Sequence, residues 1–384
     1  MVPSCGLRLL AGVGLVLSLL TTAAGAADPP ANAALTYWPG FALLPRLEEK
    51  HWKILGDLET VKLDREADQL VRSAGQTLRF LHHGAAIPRC DWDLPYEDGF
   101  HMLLIHVDKG RTVGRLALLR ARQRFERKEY RAGADDALAT IALARHLAAD
   151  RVIVTLLVQT AMEEQAIHLL ARHLPSADAA TRTAVRDRLD RLPPPGTLRA
   201  ALETERSMVF RMRDALVALS KKPAVQFRKE AAALAEPYAD TDAGKKLRTT
   251  ITGLAEVSPA AITRLFQPSA DYYDALVKLA ELPPDEAVKR LTARQEAMKT
   301  DPVGGIFLPQ MATVFHRVAQ GKVRALLLRT GIEILEKGDA AAKAVRDPYG
   351  SGSVGYRTVS GGFELSSQLT VKGKPLTLRF GAPR

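Results

Sequence analysis

The chain has almost no cysteine, which excludes a fold held together by disulfides. Its 384 residues contain only Cys5 and Cys90, and Cys5 lies in an N-terminal segment that we expect to be removed. Cys90 then has no partner within the chain, so core packing must supply the stability. Aromatic residues are also few, at 6%, whereas alanine, leucine and arginine are abundant. This composition favours helices over sheets.

The common sequence signatures of catalysis and cofactor binding are missing as well. The chain has no G-x-S-x-G, H-E-x-x-H or Walker A sequence, and nothing in it predicts a cofactor. The stretch GSGSVG at 350–355 matches G-x-G-x-x-G. Its predicted neighbours are a helix before and a strand after, the reverse of the order in a dinucleotide site, so it predicts a tight loop.

Long apolar runs are limited to one, near the N-terminus. Arg8 precedes the run LLAGVGLVLSLL at 9–20, and AGA follows at 24–26. This pattern predicts that residues 1–26 are a secretory signal peptide and that the protein is exported to the periplasm or beyond the cell. The run is too short for a stable transmembrane span, so none is expected after cleavage. An uncleaved anchor is the alternative.

Positive charge dominates the polar residues that are present. The formal net charge is +11, which favours acidic partners such as a polyanionic envelope component, lipid headgroups or nucleic acid. A nucleic-acid partner is not expected, because the protein is predicted to be exported and carries no zinc-finger or RRM-type signature.

Apolar residues at helical spacing predict a mainly α fold. After a short apolar opening at 35–47, interrupted by proline, helices are predicted at 64–83, 102–131 (one helix or two collinear ones), 134–149, 152–174, 178–192, 197–220, 259–267, 270–281, 285–299 and 309–337. The pentapeptide LARHL ends two of them, at 143–147 and 170–174. We therefore expect a multi-helix bundle or a short α-solenoid of tetratricopeptide-like hairpins.

The domain organisation follows from changes in this pattern. Residues 27–346 are expected to form the helical domain, with a sub-boundary possible near 221–258, where exposed connections are predicted. The tail then changes to short runs of strand character joined by SGG and KGK. Residues 347–384 are therefore expected to form a small antiparallel β-sheet that packs on the helices, because two or three short strands are not stable alone.

Several stretches resemble a group of uncharacterised exported proteins of planctomycete-type bacteria. They are CDWDLPYEDG, LALLRARQRFE, ALARHLAAD, LLVQTAMEEQAI and the tail DPYGSGSVGYRTVSGGFELSS. The tail is also similar to the C-terminal tail of pseudopilin-like proteins, although the proline usual after DPYGSG is missing. The resemblance implies export, a helical body and a small β tail. It implies no activity and no catalytic residue.

The densest group of chemically active side chains lies at 90–106. Asp91, Asp93, Glu97, Asp98 and His101 are candidate metal ligands or catalytic groups, and Cys90 is a candidate nucleophile. The alternative is a structural loop. In that interpretation Asp93 and Asp98 cap helix starts, and the ring of Trp92 is buried to fix the loop on the core.

A second candidate site is a stripe of arginines. Arg120, Arg124, Arg127 and Arg131 recur at spacings of four, three and four, so they share one face if the helix is continuous. They are candidates for a surface that binds a polyanion. The alternative is a solvated helix face with acidic neighbours.

These observations support two hypotheses on function. The first is an exported, non-enzymatic helical scaffold that binds another macromolecule at the cell envelope. The second is a metal-dependent or hydrolytic enzyme with its site around residues 90–106. Convergent carboxylates in a pocket would favour the enzyme, and divergent ones the scaffold.

Overall fold

The computed structural model describes residues 31–236, 240, 242–299 and 311–381. For residues 100, 101, 243 and 292–299 it describes the backbone alone. The predicted signal peptide therefore lies outside the described residues. In the part of the chain that the structure describes, none of the helices combines the length and the apolar character needed to span a bilayer.

The described residues form a mainly α fold with one small sheet, which confirms the predicted fold class. The α-helices are α1 (Ala33–Ala42), α2 (Glu49–Gly56), α3 (Arg65–Ser73), α4 (Gly75–Ala85), α5 (Ile105–Glu126), α6 (Tyr130–Leu147), α7 (Ile153–His173), α8 (Ala179–Asp190), α9 (Leu198–Leu219), α10 (Ala224–Leu234), α11 (Asp242–Thr252), α12 (Pro259–Leu265), α13 (Gln267–Leu279), α14 (Pro284–Lys299), α15 (Met311–Lys337) and α16 (Ala340–Ala344). The strands are β1 (Gly355–Val359), β2 (Gly362–Val371) and β3 (Lys374–Phe380).

Local capping chemistry explains why several helices begin where the sequence predicts. The side chain of Asp178 accepts a hydrogen bond from the backbone N–H of Thr181 (2.6 Å) at the start of α8. Thr197 caps α9 in the same way, by accepting from Ala200 at 3.2 Å. Both caps satisfy backbone donors that have no partner within the helix.

The predicted helix at 102–131 is wrong, because the chain reverses inside it. Helix α5 ends at Glu126, Lys128 adopts a left-handed conformation (φ 62°), and α6 begins at Tyr130. A Cβ atom added at Gly110 would lie 2.9 Å from the side chain of Leu147 at the far end of α6. The two helices are therefore antiparallel and closely packed, and they form a hairpin rather than one rod.

The region at 221–258, where the sequence predicted a sub-boundary with exposed connections at 221–227 and 235–246, is largely helical in its described residues. It contains α10, α11 and a 3₁₀ turn at Gly253–Glu256. Phe227 on α10 and Ile251 on α11 are both fully buried, in the same apolar cluster as Leu216 of α9 and Tyr273 of α13. The segment is thus part of a core shared with its neighbours.

The C-terminal sheet is antiparallel in the order β1-β2-β3 and lies against α7 and α15. Leu365, Leu378 and Phe380 are fully buried, in the same cluster as Leu170 and Leu327 of those helices. The carboxylate of Asp347 fixes the loop before β1, because it accepts hydrogen bonds from the Ser367 hydroxyl and from backbone N–H groups. The GSGSVG stretch is thus part of a fixed loop that leads into the sheet.

Candidate functional site

Trp92 anchors the segment at 90–98 to the helices beneath it, as the structural interpretation predicts. Its side chain is 6% exposed and stacks on Tyr37, Phe41 and His106, with ring centroids 5.9, 6.0 and 4.5 Å away. Its indole N–H donates a 2.7 Å hydrogen bond to the backbone oxygen of His146. The ring therefore both fills the core and satisfies its polar atom.

Two buried histidines below Trp92 have structural partners. Nε2 of His106 lies 3.1 Å from Oδ2 of Asp150, and both side chains are 1% exposed. Nδ1 of His146 lies 2.8 Å from the Tyr37 hydroxyl. Burial lowers the pKa of His146 to about 4, so its ring is neutral at physiological pH. These groups join α1, α5, α6 and the turn after α6.

The acidic candidates of this segment do not converge. All four acidic residues with described side chains are exposed: Asp91, Asp93, Glu97 and Asp98. The backbone N–H of Asp91 donates a hydrogen bond to the side-chain oxygen of Asn32, and its carboxylate forms an ion pair with Arg89. No three His, Cys, Asp or Glu residues with described side chains are grouped closely enough to hold a metal ion. The side chain of His101 lies outside the described part. The described geometry offers no support for a metal centre.

The predicted capping role of Asp93 and Asp98 is wrong. The 3₁₀ helix at Tyr96–His101 begins after Pro95, and α5 begins after Leu104. Neither start has a side-chain cap. Asp93 instead occupies a left-handed turn (φ 53°), a conformation that aspartate tolerates better than most residues.

Cys90 is poorly suited to nucleophilic chemistry. Burial raises the pKa of its thiol to about 12. The reactive species is the thiolate, so at neutral pH only a minute fraction of this cysteine is nucleophilic. The side chain instead packs against the core formed by α1, α3, α4 and α5.

The arginine stripe is divided by a buried carboxylate. Asp136 on α6 is fully buried, and it accepts hydrogen bonds from Arg120 (2.6 and 2.9 Å) and Arg124 (2.9 Å). His82 of α4 lies 2.7 Å from the same carboxylate. Burial alone would raise the pKa of Asp136, but the hydrogen bonds with His82 and Arg120 and the two guanidinium charges hold it below its usual value. Arg120 and Arg124 therefore connect helices.

The other two members of the stripe lie apart from the first two. Arg127 follows the end of α5 and pairs with Asp68 at 3.1 Å. Arg131 belongs to α6 and lies 3.6 Å from Asp135. The structure therefore does not gather the four side chains into one free basic surface.

The structure reveals a groove that the sequence analysis missed. It runs between α1, the loop after α1, α2 and the first turns of α5, with a volume of about 630 Å³. Its lining is mostly apolar: Trp38, Phe41, Ala42, Leu44, Pro45, Leu47 and Trp52, with Arg46, Asp108, Lys109 and Thr112 as the polar members. Trp38 is 39% exposed and Trp52 44% exposed. We call this feature the α1–α2 groove.

Helix α1 creates the groove because it is apolar on every side. Its inner face packs on α4, where Gly40 lies so close to Phe80 that an added Cβ would be 2.7 Å from that side chain. Its outer face is exposed and consists of Leu35, Trp38, Pro39 and Ala42, with Leu43 following the helix. Two of the three tryptophans of the chain are therefore exposed in one groove.

The available sequence signal was the composition of residues 33–42, which contain no charged side chain. Such a helix is expected to be buried on all sides. In the structure, one side of α1 is exposed instead. Comparison of the chain with protein-family models, curated proteins and solved structures gave no match. The resemblance to planctomycete-type exported proteins and pseudopilin-like tails therefore stays a prediction.

Proposed function

We propose that this protein is an exported helical scaffold that binds another macromolecule at the cell envelope, and that the partner is a protein that docks an apolar segment into the α1–α2 groove. The observation that carries the proposal is the exposed apolar face of α1, with Trp38 and Trp52 in one groove. Contiguous exposed apolar surface marks interaction sites, and tryptophan is enriched among the residues that dominate binding energy.

The charges around the groove favour a protein segment over a polyanion. Arg46 and Lys109 share the lining with Asp108, whose carboxylate lies 3.6 Å from Arg111. A polyanion needs a row of cations without nearby acids. The groove instead suits two or three apolar or aromatic side chains of a partner, with an acidic residue placed near Arg46 or Lys109. The signal-peptide pattern of residues 1–26 supports export.

The enzyme hypothesis has less support. Its candidate residues Asp91, Asp93, Glu97 and Asp98 are exposed and separate, while a catalytic site needs groups held within hydrogen-bond reach of one another or of a substrate. No observation on the described residues favours it over the scaffold.

The test uses the mature chain as bait in envelope extract of the native host. We expect a protein partner that remains bound at high salt and is lost when Trp38 and Trp52 are both replaced by alanine. Titration of the purified partner should shift the tryptophan emission of the wild type to shorter wavelength, because the partner removes water from Trp38 and Trp52.

The matched control is Val225→Ala, which truncates a residue that is 79% exposed on α10, outside the groove. This variant should retain the partner. Undiminished binding by the double tryptophan variant would contradict the proposal. Capture of lipid or polymer alone, released by salt, would favour a polyanionic component instead. Recovery of the chain only from the cytoplasm would contradict export.

A further inference from the structure

A second cavity lies on a different part of the molecule. It has a volume of about 370 Å³ and is enclosed by the loop after α2, by α5, by α7 and by the end of β3. This volume falls within the range of small-molecule sites. Four separate parts of the chain build it, so its shape depends on the docking of the C-terminal sheet.

Three arginines line this cavity, each from a different element. Arg122 comes from α5, Arg172 from the last turn of α7 and Arg379 from β3. None of them forms an ion pair with a carboxylate of the described residues. Arg122 donates to the backbone oxygens of Leu58 (2.9 Å) and Val61 (2.7 Å), and Arg379 donates to that of Ser360 (2.6 Å). Three positive charges thus share one cavity.

All three guanidinium groups retain donors that no described residue satisfies, since Arg122 donates only through Nη1 and Arg379 only through Nη2. Nε of Arg379 is buried and has no hydrogen-bond partner in the described structure. The side chain of Arg172 makes neither a hydrogen bond nor an ion pair with any residue that the structure describes. A buried donor without a partner carries a desolvation cost, which a bound acceptor would remove.

Three arginines elsewhere in the protein, with side chains that are 9 to 16% exposed, are paired with acids. Arg120 bonds to Asp136 at 2.6 Å, Arg324 to Glu164 at 2.7 Å, and Arg145 to Glu163 at 2.8 Å. Arg145 and Arg172 occupy the same position in the two LARHL pentapeptides. Arg145 is paired with Glu163, whereas Arg172 lines the cavity and has no carboxylate partner among the described residues.

Asp57 and Glu59 also line the cavity and offset part of its positive charge; hydrogen bonds from Thr60 and the charge of Arg122 lower the pKa of Asp57. The carboxylate of Asp57 is engaged by the hydroxyl and backbone N–H of Thr60 and by the N–H of Glu59. Glu59 is exposed at the rim. His168 also lines the cavity, and its pKa is lowered by burial and by the charge of Arg324, so its ring is neutral.

We propose that this cavity binds a small organic molecule carrying a phosphate monoester group, whose oxygens accept hydrogen bonds from Arg122, Arg172 and Arg379. A phosphate monoester offers three terminal oxygens and a charge near −2, and arginine forks match its geometry. A carboxylate, with two oxygens, would leave guanidinium donors unused. Leu58, Leu118 and Leu169 also line the cavity and provide an apolar wall for the organic part.

The test is calorimetric titration of the full mature chain with phenyl phosphate, with inorganic phosphate and benzoate as comparison ligands. Phenyl phosphate should bind more tightly than either. Arg172→Gln should weaken it roughly tenfold or more, the usual cost of losing a charged hydrogen bond. The side chain of Arg172 has no described hydrogen bond or ion pair to lose, so this variant should fold normally. Arg379→Gln should weaken binding similarly.

The control variant is Arg264→Gln, which changes an exposed arginine of α12 outside the cavity. It should bind phenyl phosphate like the wild type. The double Trp38→Ala, Trp52→Ala variant should also bind normally, which would show that this site is independent of the α1–α2 groove. Absence of binding at millimolar phenyl phosphate, or equal affinity of Arg172→Gln and the wild type, would overturn the proposal. If benzoate bound more tightly than phenyl phosphate, the proposal that the ligand carries a phosphate group would be wrong. If inorganic phosphate bound as tightly as phenyl phosphate, the proposal that the ligand has an organic part would be wrong.

Discussion

At the scale of single residues, the buried acids Asp136 and Glu163 are matched with cations or several donors, whereas the half-buried Glu205 on the described part of the chain is not. Asp136 is held by two arginines and a histidine, and Glu163 by Arg145 and Gln159. Glu205 on α9 accepts a single long hydrogen bond, 3.4 Å from the backbone N–H of Ile153. Burial raises its pKa to about 7. At neutral pH this carboxyl group is therefore partly protonated.

Replacing Glu205 by glutamine should change how stability depends on pH. The pKa of Glu205 is raised from 4.5 to about 7 by folding, so the folded state binds the proton more tightly than the unfolded state. Its contribution to stability is full below about pH 4.5 and is lost as the pH rises through 7. The free energy of unfolding of the wild type, relative to Glu205→Gln, should therefore fall by roughly 3 kcal/mol across this window.

Denaturant titrations at several pH values measure this difference. His146 and His173, whose pKa values burial lowers to about 4, give the opposite slope. That slope is common to both proteins and cancels in the comparison. Glu203→Gln, at an exposed position of α9, is the control and should show no such fall. If the free energies of unfolding of the wild type and Glu205→Gln changed in parallel with pH, the raised pKa assigned to Glu205 would be wrong.

At the scale of elements, the position of the sheet depends on a glycine in α15. A Cβ atom at Gly331 would overlap the ring of Phe380, which is fully buried at the end of β3. The backbone of Gly381 also donates a 3.2 Å hydrogen bond to the oxygen of Ala171 at the end of α7. The missing side chain thus lets β3 approach α15 closely enough to close the core.

Gly331→Ala should lower stability although alanine is the better helix former. The added methyl group forces Phe380 away from α15, and such overpacking costs about 1–3 kcal/mol. Thermal unfolding followed by circular dichroism measures the fall in Tm. Gly75→Ala is the matched control, because nothing lies near the added methyl at this position in α4. It should leave Tm unchanged or raise it. A Gly331→Ala variant as stable as the wild type would show that the sheet is not fixed by this contact.

At the scale of the whole molecule, two long helices join the apolar clusters into one body. The start of α7, with Ile153 and Leu156, belongs to the cluster of α9 to α14, and its later residues belong to the cluster beneath the sheet. The residues of α15 up to Val318 likewise belong to the cluster of α9 to α14, and those from Ala319 onward belong to the cluster beneath the sheet. Unfolding of either cluster removes packing from a helix that the other needs.

The protein should therefore unfold in a single cooperative transition. Phe227 is fully buried on α10, and Phe227→Ala should cost about 3–5 kcal/mol. Calorimetry should show one peak at lower temperature. Trp92 lies in the cluster of α1 to α6. The unfolding transition followed by its emission should have the same lowered midpoint temperature. Val225→Ala, exposed on the same helix, is the control. Two peaks, with Trp92 emission unshifted, would show that the region from 221 onward unfolds independently.

The sequence by itself determined the elements whose ends depend on nearby residues. Helices α7, α8 and α9 begin and end within two residues of the predicted limits, because Asp178, Thr197 and the prolines at 193–195 act on their own backbone. The three strands were found because alternation and glycine turns are local signals. The burial of Trp92 was predicted from its residue type.

Only the tertiary structure decided which side chains meet. The reversal at Lys128 uses neither glycine nor proline, so the sequence predicted one helix or two collinear ones, with Arg120 and Arg124 on an exposed face. In the folded protein, the hairpin brings Asp136 against them. The groove and the arginine cavity were missed for the same reason: the cavity joins Glu59, Arg122, Arg172 and Arg379. Periodicity and capping act over a few residues, whereas a site assembled from distant segments depends on how the helices pack.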